Sequence, residues 1–240
     1  MLNFLRKIRR QEFKGRYLKY AIGEILLVVI GILIALSINN WNEARKESKR
    51  LLTYEGILVT ELEGDLRTLE AMGDFNDSIR GLIDVYLAEY STKEPDIDKI
   101  RQLNIGQAMI VNTFGKQSFT LDEITQNGSL SLFPDETKQA ILSLKFIHEL
   151  FVYYERQSLQ RVLDALDQRD QHIDFLYEKG YVKEPHPNAA KWYQTLESDN
   201  YRLLNNAIAR TLVHYDYQEQ IVFPTIKRRT EELLTLLKAP

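Results

Sequence analysis

Glu24 is the only ionisable side chain in the apolar run Ala21–Ile38, AIGEILLVVIGILIALSI, and what surrounds it decides what chemistry it does. An ionised carboxylate facing lipid is expensive, so it must face protein or reach the interface. Three fates fit the sequence. Tyr20, Lys19 or Arg16 of the same or a neighbouring chain satisfies it one turn inside the boundary. Alternatively, it makes an interhelical hydrogen bond or ion pair that specifies a homo-oligomer or docks another membrane protein. In the third, Glu24 side chains of several copies share protons and pass protons or cations.

Helical geometry groups its neighbours. At about 100° per residue, Glu24, Gly31, Ala35 and Asn42 fall close to one line, with Tyr20, Val28 and Ile38 beside it. Gly31-x-x-x-Ala35 is a small-x-x-x-small pair that lets two helix backbones approach. These seven residues are the expected oligomer or partner interface within the membrane. Leu26, Val29, Leu33 and Leu36 then face lipid.

Elsewhere the chemistry-bearing residues are sparse. His148, His172, His186 and His214 contain no pair at i,i+4 and no HExxH, and the chain has no cysteine, so no metal site is expected. Asp96-x-Asp98 lacks the oxygen-rich loop and Gly turn of a calcium site. No G-x-S-x-G, Walker loop or G-x-G-x-x-G occurs. Neither an enzyme nor a cofactor is therefore expected. Thirteen tyrosines and ten phenylalanines fall mostly at helical spacing and read as core. Tyr181, Trp192 and Tyr193 are expected where the domain returns to the bilayer, on headgroups or on a partner.

Several elements must position these residues. The 18 residues from Ala21 to Ile38 just span a bilayer core of about 30 Å as one helix. Tyr17, Tyr20 and Trp41 flank it as interfacial rings. Seven basic residues and one acidic residue in the first twenty give that leader a charge of +6, which keeps it cytoplasmic by the positive-inside bias. In a bacterium the remainder is then periplasmic, the anchor lying in the inner membrane. A cleaved signal peptide is the rival, since Ala35-Leu-Ser37 resembles a cleavage site. The long basic leader and Glu24 favour an uncleaved anchor. The expected organisation is a cytoplasmic leader over 1–20, a transmembrane helix over 21–40 and a periplasmic domain over 41–240.

The net charge of −3, less the leader's +6, leaves −9 on residues 21–240, which gives no reason to bind nucleic acid. The leader instead suits membrane lipid. Arg6, Lys7, Arg9 and Arg10 beside Phe4, Leu5 and Ile8, together with Tyr17, Lys19 and Trp41, are expected at the membrane surface. A disordered basic tail that only sets topology fits the same residues. The absence of cysteine rules out disulfides and agrees with a periplasmic location.

Beyond Trp41, apolar residues recur at three- and four-residue steps from Leu51 to Tyr86, predicting a helix to about Tyr90. Ser91–Pro95 is a turn, and Asp96–Val111 reads as a short helix. Thr120 and Glu123 make a capping box for another, which Gly128 ends. Pro134, Asp135 and Glu136 open a long helix predicted to reach Gly180. A Pro-bearing link follows, then Asn200–Leu237 as a third long helix kinked at Pro224. The fold class is therefore all-α, with the transmembrane helix continuous with a long helix and an antiparallel helical bundle outside the membrane. The second long helix is expected to return along the first, with 91–133 as distal cap.

Lys19–Arg45, KYAIGEILLVVIGILIALSINNWNEAR, resembles the N-terminal signature of a family of bacterial single-pass membrane proteins known only as a domain of unknown function. The run FTLDEITQNGSL and the later Phe151-Val-Tyr153-Tyr154 resemble its second segment. The resemblance implies an inner-membrane protein with a helical exterior domain, and no activity. The expected role is association: a homo-oligomer, or an accessory or scaffold to an envelope complex. The alternatives are a ligand-sensing bundle that signals through a partner, because about twenty cytoplasmic residues leave no room for a signalling domain, and an oligomeric channel using Glu24.

Overall fold

Apolar residues spaced at three and four along most of the chain fold as helices. The computed structural model describes residues 2–103 and 105–239, and the side chains of these apart from residues 2–19, 107 and 108. Among the described residues the protein is all-α, without a strand. Its helices are α1 (Leu2–Tyr90), α2 (Ile97–Leu103), α3 (Ile105–Ala108), α4 (Thr120–Gln126), α5 (Asp135–Asp170), α6 (Phe175–Glu178), α7 (Pro187–Ala190), α8 (Asp199–Tyr217) and α9 (Phe223–Leu237). By contacts the chain divides into two units, Met1–Tyr54 and Glu55–Pro240.

In the first unit every described side chain from Tyr20 to Arg50 is exposed. Leu27 is 74% exposed and Leu33 57%, although both are strongly apolar. Water does not tolerate such a surface over five turns. The helix is long and apolar enough to cross a membrane.

In the second unit, α1 from Leu58 onward has a buried stripe that includes Leu62, Leu69, Met72, Ile79, Ile83 and Tyr86. Its polar contacts with the C-terminal helices run in a definite order. Glu63 meets Lys238 at 2.8 Å, Asn76 meets Gln218 at 3.0 Å, Arg80 meets Asp216 at 2.7 Å, and Tyr86 meets Asn205 at 2.8 Å. The partner's number falls as that of α1 rises.

Helix α5 meets α1 in the same order instead. Phe151 shares a cluster with Leu69 and Met72, whereas Leu166 packs on the cluster of Ile83 and Tyr86. The expectation that the second long helix returns along the first is thus corrected. The return is made by residues 109–118, which form no helix. Met109 packs on the cluster of Ile83, Phe114 on that of Leu69, and Gln117 bonds to Asp65. A chain led back in extended form exposes backbone groups that no ladder satisfies, and side chains of α1, α5, α8 and the turn after it supply the partners.

Three local expectations change with this path. The helix expected over Asp96–Val111 is broken into α2 and α3 and stops at Ala108. No capping box forms at Thr120, which is already helical after Phe119. Its N–H and hydroxyl donate instead to the two oxygens of Glu61, both at 3.0 Å. Finally, α5 stops at Asp170 rather than running to Gly180, because Asp174 caps a new helix by accepting from the N–H groups of Leu176 and Tyr177. Before Pro224 the chain widens into a π turn, Gln218–Val222, which accommodates the missing donor.

Candidate functional sites: a buried polar seam, a cleft and the anchor face

The extended return is held by a seam of polar side chains on otherwise apolar stripes. Glu155, 1% exposed, accepts from the Phe114 N–H at 3.1 Å and from Gln218 Nε2 at 2.7 Å. Gln218 Nε2 also donates to the Asn112 carbonyl at 3.0 Å, and Gln218 Oε1 accepts from Asn76 at 3.0 Å. His214 Nε2 lies 2.9 Å from that same Asn112 oxygen. Asp65 takes the Gln117 N–H, and Tyr215 donates to the Ile110 carbonyl. Burial raises the pKa of Glu155, against the pull of Gln218 and Phe114, and raises that of Asp65, against Ser118 and Gln117. His148, 2% exposed beside the Phe114 ring, is pushed down to about 4 by burial and by Lys116. The hydrogen bonds of the seam account for Glu155 and Asp65 structurally, whereas neither ring nitrogen of His148 has a partner among the described residues.

At the end of this unit where α1 finishes, α2, α3, the C-terminal turn of α5, α6 and the start of α8 enclose a cleft of ≈ 640 Å³. Each wall has a local cause. Asp96 Oδ1 caps α2 by accepting from the N–H groups of Asp98 and Lys99, which fixes Arg101 one turn on. Gly180, at φ +73°, closes α6: its N–H reaches the Tyr177 carbonyl and that of Tyr181 the Leu176 carbonyl. This is a Schellman ending that only glycine adopts cheaply. It sets Tyr177 and Glu178 on the wall.

Arg169, 5% exposed, lies on the floor, where its Nη2 pairs with Glu178 Oε1 at 3.2 Å. Its guanidinium rests on Gly106, where a Cβ would stand 2.6 Å from Nη1. Arg101 covers the Tyr177 ring at 5.7 Å, and the Tyr193 ring lies 5.0 Å from that of Tyr177. The Tyr193 oxygen accepts from the Asp174 N–H at 2.8 Å. Tyr193 and Trp192, expected at the returning end near the bilayer, therefore belong to this end, packed with Tyr177 and His172.

Three lining residues leave polar atoms buried without a partner: Arg169 Nε, Asn200 Oδ1 and the Tyr201 hydroxyl. Asn200 is 2% and Tyr201 3% exposed. Burial pushes Tyr201 up to about 12, so its hydroxyl stays a donor at neutral pH. Among the described lining residues there is no serine, cysteine or histidine. These groups offer hydrogen bonds and charge to a ligand.

Of the anchor residues singled out, Tyr20, Glu24, Val28, Gly31, Ala35, Ile38, Asn42 and Trp41 are helical and exposed. Uninterrupted helix through this stretch puts Glu24, Gly31, Ala35 and Asn42 along one line. Apart from its own turn of helix backbone, nothing among the described residues stands within 4 Å of a Cβ built on Gly31. Arg45 stacks 6.0 Å over Trp41. The side chains of Arg6, Lys7, Arg9, Arg10, Tyr17 and Lys19 lie outside those described.

Among the described residues these features define an all-helical protein with one apolar, exposed helix near the N-terminus and a polar cleft in its packed unit. A comparison with protein families matches residues 24–155 to a family of unknown function, DUF6090, and the chain belongs to that family. No curated protein and no solved structure matches the chain.

Proposed function

We propose that this is a single-pass protein of the bacterial inner membrane that acts by association. Its leader lies in the cytoplasm and residues 41–240 form a periplasmic helical bundle, with α8 and α9 antiparallel to α1. The anchor face of Glu24, Gly31 and Ala35 joins it to a second copy or to another envelope membrane protein, for which the bundle serves as scaffold or accessory subunit. The observation that carries this is the apolar surface of α1 over Tyr20–Asn42, exposed at every residue, with its polar and small residues along one line. An apolar helix surface is stable in lipid, and a small-residue line on it favours helix–helix contact.

Membrane flotation with alkaline extraction, and an alkaline phosphatase fusion after Pro240, test the placement. The protein should resist extraction and the fusion should be active. Release by high salt alone would refute it. Glu24→Gln should weaken cross-linked oligomers while insertion survives. A ligand-sensing bundle that signals through its partner is the second reading, and the ≈ 640 Å³ cleft is what favours it.

A further inference from the structure

We infer that the cleft floored by Arg169, Asn200 and Tyr201 binds a small carboxylate with an N–H beside the carboxylate group, as in a free amino acid or the C-terminal end of a short peptide. This goes beyond the association proposed above and does not depend on it.

The argument starts from the three unpartnered atoms. Buried polar atoms almost always find partners, and three orphans on residues that line one cleft concentrate an unmet demand behind its wall. Arg169 Nε and the Tyr201 hydroxyl offer hydrogens, so they ask for an acceptor. Asn200 Oδ1 asks for a donor, its own amide being directed to the Trp192 carbonyl at 3.4 Å. A carboxylate answers the first two, and an adjacent N–H answers the third.

Charge agrees. Among the described lining residues there are three cations, Arg101, Arg169 and Lys183, against two anions, Asp98 and Glu178, for a net +1. An anionic or zwitterionic ligand is therefore preferred to a cation. Ile100, Ile105, Val182 and Leu204 add aliphatic surface for a side chain. The volume is that of a site for molecules from amino acid to short peptide size. The three orphan atoms are closed to water in the unliganded protein. The ligand thus reaches them through a rearrangement of floor side chains, and association is slower than diffusion allows.

The test is isothermal titration of the full-length protein in detergent with four probes: leucine, the dipeptide Ala-Leu, leucinamide and 4-methylpentanoate. Leucine or Ala-Leu should bind, 4-methylpentanoate more weakly for want of the N–H, and leucinamide least. Tighter binding of leucine than of Ala-Leu identifies the free amino acid as the source, and the reverse order a peptide terminus. Tyr201→Phe should weaken binding about tenfold, the loss of one hydrogen bond to a charged group. Without ligand it should be as stable as the parent or more so, because the lost hydroxyl has no protein partner. The inference is overturned if none of the probes binds at millimolar concentration, if leucinamide binds as well as leucine, if Tyr201→Phe binds undiminished, or if that variant is destabilised without ligand.

Discussion

Replacing Glu155 by alanine tests the polar seam at its centre. The substitution orphans two buried N–H groups, that of Phe114, now 3.1 Å from the carboxylate, and one of the two on Gln218 Nε2, now 2.7 Å from it, the other keeping the Asn112 carbonyl. An unsatisfied buried donor costs about 1–3 kcal/mol, and relief of the carboxylate's own desolvation returns part of the sum. The expected loss is about 2–4 kcal/mol, large against a total stability of roughly 5–15 kcal/mol. Glu155→Gln keeps the shape and one acceptor but turns an NH2 toward a donor, costing about 1–2 kcal/mol.

The two variants also make a pH prediction whose sign is fixed. Burial raises Glu155 above its ordinary 4.5, so the folded state holds the proton more tightly than the unfolded one. That contribution is fully present below the unfolded value and is lost as pH rises through the folded value. The stability advantage of the parent over Glu155→Gln should therefore shrink as pH climbs from 4.5 through the raised value. Urea denaturation of the full chain in detergent, at several pH values, measures both effects. An alanine variant within about 0.5 kcal/mol of the parent, or an advantage that grows with pH, would refute the account.

Gly106→Ala should cost about 2 kcal/mol by expelling the Arg169 guanidinium from its pair with Glu178. In an Arg169→Ala background the same change should be nearly free, and equal costs in both backgrounds would show that the contact is not the cause. His148 has no partner for either ring nitrogen and its pKa is depressed to about 4. Its stability contribution is present above the ordinary 6.5 and lost as pH falls toward 4. His148→Phe should be neutral or stabilising at pH 7 and should spare the protein about 2 kcal/mol of the loss between pH 7 and pH 5. Urea midpoints at the two pH values check it.

The sequence made the punctuation of the long helices legible, because it is written in local residues. Pro95 follows the end of α1, Pro134 stands before α5, and Gly128 and Gly180 take the positive φ values that mark their turns. The extended return was not legible, since what holds it is distant: Asn112 is bound by residues more than a hundred positions later. The end of α5 was missed because Asp174 looks like any polar helical residue until its side chain is seen capping Leu176 and Tyr177. The cleft escaped notice because its walls come from separate elements. One signal pointed to both sites. His148, Glu155 and Arg169 fall in the seven-residue register of Ile141, Leu144, Phe151 and Val162, so three polar residues occupy an apolar stripe.

Held in the extended return by His214 and Gln218, Asn112 ties the timing of folding to the last part of the chain. A ribosome delivers residues 109–118 long before the helices that receive them exist, so nascent chains must wait with those backbone groups wet. Truncation before Gln218 would therefore unfasten the middle of the protein as well as remove its tail.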